Sequence, residues 1–300
     1  MNFGIRGNIY KPEISHVISG LIRYFNEKNI RYYIDNSLKS ITQVNAKLNS
    51  SARKKFVSTA KLLSLCDFII SIGGDGTFLY TASKVSSSGI PIIGANLGKL
   101  GFLAEIPASK ITVFINDVLK GKYLIEERTV LQAHAAGRKK TLYGINEIVI
   151  NQSGMVKTIE ITVYYNDQPV NSYHADGLIV ATPTGSTGYS LSAGGPIVHP
   201  STKVMILCPL SPHTLTARPV ILPDDGIFRV KVTSRIPIYL IADGNSSIKL
   251  SSPAEIFISK APYRIKIAKP LTSNYFKILR TKLLWGEDKR KKAQRRYSVN

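Results

Sequence analysis

CDFIISIGGDGTFLYTASKVS, residues 66–86, decides the first half of the fold. Its opening CDFIISI is a continuous apolar run, the pattern of a strand covered on both faces. The run stops at Gly73-Gly74-Asp75-Gly76-Thr77, and FLYTASKVS then reads as a helix. This order brings bare backbone and a helix N-terminus to one point. Glycines let the main chain approach a phosphate, and free N–H groups at a helix start favour anions. Asp75 is the odd member, because a carboxylate beside phosphates repels them unless a cation or a proton transfer is involved. Its chemical uses are to orient or deprotonate a hydroxyl, or to hold Mg²⁺. The spacing matches neither the dinucleotide GxGxxG nor the Walker P-loop.

Working outward, PIIGANLG at 91–98 reads as the next buried strand and its turn, and SKITVFINDVLKG at 109–121 as an amphipathic helix. Ser109 is placed to cap that helix and Gly121 to end it. Upstream, Ile14, Val17, Ile18, Leu21, Ile22 and Phe25 fall on one face of a helix spanning 12–28, followed by a β run, RYYID, at 31–35. Strands alternating with helices predict a parallel sheet covered on both faces. The polar Ser- and Lys-rich stretch from about 36 to 58 reads as loop or surface helix.

The pattern changes near residue 129. Short β-rich runs with turns continue to about 270, among them FRVKV, IYLIAD and RIKIAK. In TIEITVYYN, Ile159, Ile161, Val163 and Tyr165 alternate with Glu160, Thr162 and Tyr164, the period of a half-buried strand, and NDQP at 166–169 is a hairpin turn. SNYFKILRTKLLW returns to a helical pattern. Two domains are expected: an α/β domain over 1–128 that carries GGDGT, and a separate β domain over 129–272.

The second half holds its own motif, DGLIVATPTGSTGYSLSAGGPIVHP at 176–200. Thr184, Ser186, Thr187, Gly188, Tyr189, Ser190, Leu191 and Ser192 gather hydroxyls and bare amides behind a buried strand. That chemistry suits a ligand with many acceptors, and the Tyr189 ring could stack on a base. Asn146-Glu147 stands before an apolar run, and adjacent strand residues ordinarily point to opposite faces. Asp176 in HADG and Asp243 in IADGN are each an acid beside a glycine, which turns explain. The histidines show no metal-type spacing, and no GxSxG elbow is present.

Composition sets outer limits. The 300 residues carry 40 Lys+Arg against 19 Asp+Glu, a net charge of +21. From Lys277 onward nine Lys/Arg face two acids, a third of that excess, in a run that reads as a solvated terminus. Such charge permits polyanionic partners, but no helix-turn-helix, RRM or zinc pattern supports nucleic acid. Two cysteines, Cys66 and Cys208, lie in apolar runs, which fits a reducing cytoplasm. No stretch is long enough to span a bilayer, and the N-terminus lacks a secretory leader.

Taken together, GGDGT at 73–77, NLGKLGFL at 96–103, NE at 146–147 and the 176–200 run resemble the NAD kinase family. CPLSPHTLTARP at 208–219, DGN at 243–245 and YFKILRTKLLW agree with it, in order and spacing. The resemblance implies an N-terminal Rossmann-like (phosphofructokinase-like) α/β domain, a C-terminal β-sandwich domain, and a C-terminal helix, 273–300, returning to the first domain. It implies transfer of the γ-phosphate of ATP to the 2′-hydroxyl of the adenosine ribose of NAD, with a divalent cation, Mg²⁺, and a homo-oligomer, a dimer or tetramer. By motif match Asp75 is the catalytic aspartate, and Gly74, Gly76, Thr77 and Phe102 lie at the substrate. Asn146 and Glu147 match the pair that contacts NAD. His174, Asp176, Thr184, Ser186 to Ser192, Asp243 and Asn245 complete the binding set. Gly188 departs from the alanine usual there; His174 and Asn245 also stand where other residues are common. A GGDGT-type lipid or sugar kinase and a non-catalytic NAD(P)-binding protein are the alternatives.

Overall fold

The computed structural model describes residues 1–41, 54–152 and 158–285. The chain divides into two units, one of 1–81, 90–125 and 267–300, the other of 82–89 and 126–266.

In the first unit the chain runs β1 (Asn2–Gly7), α1 (Ile14–Glu27), β2 (Arg31–Asp35), β3 (Phe56–Val57), α2 (Thr59–Leu65), β4 (Phe68–Gly73), α3 (Asp75–Val85), β5 (Ile92–Asn96), β6 (Ile106–Pro107) and α4 (Ile111–Leu119). The strands are parallel in the order β3-β2-β1-β4-β5, with β6 on the outer edge of β5. This is the doubly wound order, and it reverses direction between β1 and β4. Every residue of β4 and β5 is buried, as a strand covered on both faces requires. Phe3, Ile5, Ile70, Ile72 and Ile93 of the sheet pack with Ile14, Ile18, Leu21 and Phe25 of α1 and with Phe114 and Ile115 of α4. Phe3 stacks on Phe25, ring centres 5.6 Å apart.

Two local details differ from the sequence reading. Ser109 does not cap α4: residues Ala108–Lys110 form a 3₁₀ turn, and Lys110 stands at the N-cap without a side-chain bond. Gly121 does end the helix, at φ +72 with its N–H on Val118 O. In the polar stretch 36–58, β3 pairs Phe56 and Val57 with Ile34 and Asp35 of β2, too few residues to show a period. Asn36–Leu38 form a 3₁₀ turn, while residues 42–53 of that stretch and the basic tail, 286–300, lie outside the described residues.

The second unit is built of strands: β7 (Leu124–Ala135), β8 (Leu142–Gly144), β9 (Glu147–Gln152), β10 (Ile159–Tyr165), β11 (Gln168–Ala175), β12 (Gly177–Ala181), β13 (Val204–Leu210), β14 (Val220–Pro223), β15 (Phe228–Thr233), β16 (Ile238–Ala242), β17 (Ser246–Leu250) and β18 (Ala254–Lys269), the ends of β7 and β18 belonging to the first unit. A short helix, α5 (Tyr189–Ser192), follows β12. One antiparallel sheet runs β14-β13-β12-β9-β16-β17, and the facing one contains β11-β10-β15-β18. Ile148, Ile150, Leu178, Val180 and Leu207 of the first meet Ile159, Ile161, Val163, Phe228 and Val230 of the second in one core, so this unit is a β-sandwich. Asn166 and Asp167 take φ +49 and +62 between β10 and β11, the two left-handed residues of a tight hairpin.

The back of the six-stranded sheet is also covered. Val149, Ile179, Ile206 and Cys208 pack there with Val198 and Ala193, under the segment that follows β12. The Thr/Gly/Ser run is therefore held on a rigid apolar floor. The C-terminal helix α6 (Tyr275–Leu283) belongs to the first unit and starts at Asn274, whose side chain caps Lys277 N–H.

Candidate active site

In the first unit the glycines after β4 lead directly into α3, which begins at Asp75. The Asp75 carboxylate turns onto the loop that follows β5. Its Oδ2 accepts the N–H of Phe102 at 2.9 Å, and its Oδ1 those of Leu103 at 2.9 Å and Ala104 at 3.0 Å. Asn96, buried at the end of β5, steadies the loop: its Nδ2 donates to Ala104 O at 3.2 Å, and Gly101 N–H donates to the same oxygen at 3.0 Å. Gly101 has to be glycine, since a Cβ there would collide with Asp75 Oδ1. NLGKLGFL and GGDGT thus act as one unit: GGDGT carries the carboxylate, and NLGKLGFL with the following Ala104 supplies its amides. Thr77 packs back against Gly73, whereas Gly74 and Gly76 face open space with room for a ligand. On the far side of the carboxylate, Lys282 Nζ of α6 lies 3.4 Å from Oδ2.

In the second unit Asp243 does the corresponding work. It sits at φ +48 in the tight turn between β16 and β17. Its Oδ2 accepts Ile145 N–H at 2.7 Å, and its Oδ1 those of Asn146 at 2.8 Å and Glu147 at 3.0 Å. Burial raises the Asp243 carboxyl while these three donors pull it back. The residue is thus more than a turn former, and its carboxylate is spent on the main chain of the Asn-Glu pair.

That pair does not alternate across a strand. Asn146 precedes β9, whose first residue is Glu147, so the two side chains are free to converge. They meet at Gly188: a Cβ there would lie 2.9 Å from Glu147 Oε2 and 3.2 Å from Asn146 Nδ2. Glu147 Oε2 and Asn146 Oδ1 are both buried and have no hydrogen-bond partner. Two orphaned acceptors on adjacent residues are costly unless something else donates to them. Gly185 lies against the Asn146 carbonyl, and its lack of Cβ allows this contact. The Gly188 departure therefore leaves the Glu147 carboxylate space that an alanine methyl would narrow.

The Glu147 carboxyl is pushed up to about 7 from its ordinary 4.5, first by burial, then by the charge of Asp243, with the Tyr189 N–H acting against both. An acid raised on folding costs stability as pH climbs from the unfolded to the folded value, and the full cost stands above it. We expect Glu147→Gln to be more stable than wild type at pH 8, by on the order of 2 kcal/mol. The gap should close toward pH 5, read as melting temperature at both pH values.

The remaining predicted residues fall into three groups. Tyr189 and Ser192 are exposed, with Thr187, Gly188 and Leu191 half-buried. Ser186 is fully buried, donating to Pro183 O at 2.7 Å and accepting Val198 N–H at 3.0 Å, so its hydroxyl braces the segment. Thr184 and Ser190 are buried as well. His174 is exposed on β11 opposite Glu160, Asp176 follows that strand, and Asn245 is exposed beyond the Asp243 turn. Sequence reasoning missed Lys282, which lay inside what read as a solvated basic run.

The chain matches the model of the ATP-NAD kinase N-terminal domain over residues 3–123 and that of the ATP-NAD kinase C-terminal domain over 145–270. It is 38% identical to an NAD kinase of Flavobacterium psychrophilum over 294 residues, 97% of this chain and 100% of that protein. The chain belongs to the NAD kinase family. Another NAD kinase, from Bacteroides fragilis, is 37% identical over 97% of this chain and 100% of its own length. In fold it is similar to yeast NADH kinase complexed with NADH, at TM-score 0.86 and 22% identity, covering 96% of this chain and 88% of that one. It is also similar to an NAD kinase from Archaeoglobus fulgidus in complex with ATP, at TM-score 0.74 and 23% identity over 95% and 99% of the two chains. NAD kinases thus share with this chain the two domains that carry its two carboxylate cradles.

Proposed function

We propose that this protein is an NAD kinase in which Asp75 orients and deprotonates the acceptor hydroxyl and the Asn146–Glu147 pair binds the dinucleotide. The observation that carries the reading is the convergence of Asn146 and Glu147 beside Gly188, each with a buried acceptor, Oδ1 and Oε2, that has no hydrogen-bond partner. A ribose diol supplies two O–H donors, which is what such a pair lacks. The overall reaction moves the γ-phosphoryl of ATP to the 2′-hydroxyl of the adenosine ribose, giving NADP and ADP.

A secondary hydroxyl is a poor nucleophile near neutrality, so a fixed carboxylate within hydrogen-bond reach lowers the barrier. The rest of phosphoryl transfer is positioning and charge neutralisation. Gly74 and Gly76 leave the space; Thr184, Thr187 and Ser192 offer hydroxyls; Tyr189 offers a ring to a base. His174, Asp176 and Asn245 are assigned to dinucleotide contacts by the motif match. Among the described residues no cluster of His, Cys, Asp or Glu builds a metal cage, and both oxygens of Asp75 are engaged. Mg²⁺ therefore enters this reading as a companion of the triphosphate, where it would neutralise phosphate oxygens. The protein works in a reducing compartment, the cytoplasm, a reading supported by two buried free cysteines. It assembles with copies of itself, a reading supported by exposed Leu215, Ile221 and Ile227.

Incubating the protein with NAD, ATP and Mg²⁺ and reading NADP with an NADP-specific dehydrogenase tests the proposal. NADP should accumulate in proportion to enzyme. Its absence, with polyphosphate also failing as donor, would overturn the reading.

A further inference from the structure

The Asp75 carboxylate has four close donors, and they are not alike. Three are main-chain amides fixed by the loop at 102–104. The fourth is the Lys282 ammonium, on a flexible four-carbon stem and 30% exposed. Lys282 Nζ also lies 4.9 Å from the centre of the Phe102 ring, which gives it a second resting contact at the same place. The stem rises from the last turn of α6, so it is anchored at one end and mobile at the other.

We propose that Lys282 binds the phosphates of the phosphoryl donor, exchanging its contact with Asp75 for theirs. The inference rests on the kinase reading above and adds to it the protein's own cation. A partly solvated carboxylate holds an ammonium weakly. A polyphosphate carries more charge and more acceptor oxygens, so it draws the ammonium away. The exchange does two things together. It puts a positive charge on the oxygens of the group in transfer, and it empties a lone pair on Asp75 Oδ2 for the acceptor hydroxyl. The oxygen of that hydroxyl then bonds to the γ-phosphorus as the bond from that phosphorus to the β-phosphate oxygen breaks. The hydroxyl proton passes to Asp75, and the electron pair of the broken bond leaves on ADP. Lys282 gives up no proton. The arrangement answers the difficulty raised by the motif, a carboxylate placed beside phosphates.

The test uses the full chain as wild type, Lys282→Met, Lys282→Arg and Arg280→Ala. The last removes an exposed charge from the same turn. Each is titrated calorimetrically with magnesium adenylyl imidodiphosphate and, separately, with NAD, and its steady-state kinetics and melting temperature are measured. Lys282→Met should bind the ATP analogue about tenfold more weakly and lose about 100-fold in kcat/KM for ATP. Its NAD affinity and melting temperature should stay at wild-type values. Lys282→Arg should recover most of the loss, and Arg280→Ala should match wild type. Unchanged analogue binding in Lys282→Met would overturn the proposal. So would a parallel fall in NAD affinity and melting temperature, the mark of a merely structural prop. Failure of the wild type to make NADP would count against the kinase reading alone, because analogue binding still decides the role of Lys282.

Discussion

Asp75→Asn should turn NAD over at no more than about a thousandth of the wild-type rate, while an NAD titration stays within a few-fold of wild type. The chemical loss comes from removing the proton acceptor. The geometry adds a second loss. One carboxylate oxygen accepts two amides and the other accepts one, so the asparagine NH₂ must face an N–H wherever it is turned. Turned toward Phe102, it leaves that amide without an acceptor, at a cost of about 1–3 kcal/mol. Asp75→Asn should therefore melt several degrees below wild type as well as lose turnover. Wild-type kcat in this variant would remove Asp75 from the chemistry. Wild-type melting temperature would mean that the amide cradle contributes little to the fold.

The second large effect is expected at a residue that touches no substrate in this reading. Asp243→Ala strips the acceptor from three consecutive amides at once, those of Ile145, Asn146 and Glu147. We expect a loss of about 3 kcal/mol or more in folding free energy and a rise of at least about tenfold in the KM for NAD. The kcat at saturating NAD should change much less, because Asp75 is untouched. Asp243→Asn keeps one acceptor oxygen and should fall between. Denaturant melts and the split between KM and kcat check both halves. A variant that loses kcat at unchanged KM would contradict a positioning role.

The Asp75 region was legible because its signals are local. An unbroken apolar run, a glycine turn and a helix lie within about twenty residues, and β4 and α3 follow that order. The hairpin at Asn166-Asp167 was readable for the same reason. Asp243 was reached only through the resemblance, and its role was not legible: a turn accounts for its sequence, and its true partners are 96 to 98 positions away. The convergence of Asn146 and Glu147 was hidden by the alternation rule, which holds inside a strand and fails at the residue before it. Lys282 was hidden by its neighbours, since a basic helix end has the same composition whether or not one lysine finds a carboxylate. β3 has two residues, fewer than any period needs.

Both site carboxylates are gripped by main chain, Asp75 by residues 102–104 and Asp243 by residues 145–147. What descent has to preserve there is the path of the backbone, and side-chain letters record that only indirectly. A related gene could gain one codon between Gly101 and Ala104, keep GGDGT intact, and still encode a protein whose aspartate has lost its seat. Conversely, two diverged relatives could share few letters in these loops and hold the acid equally well. Inheritance of this activity is better traced by the length and course of two short loops than by the spelling of the motif they serve.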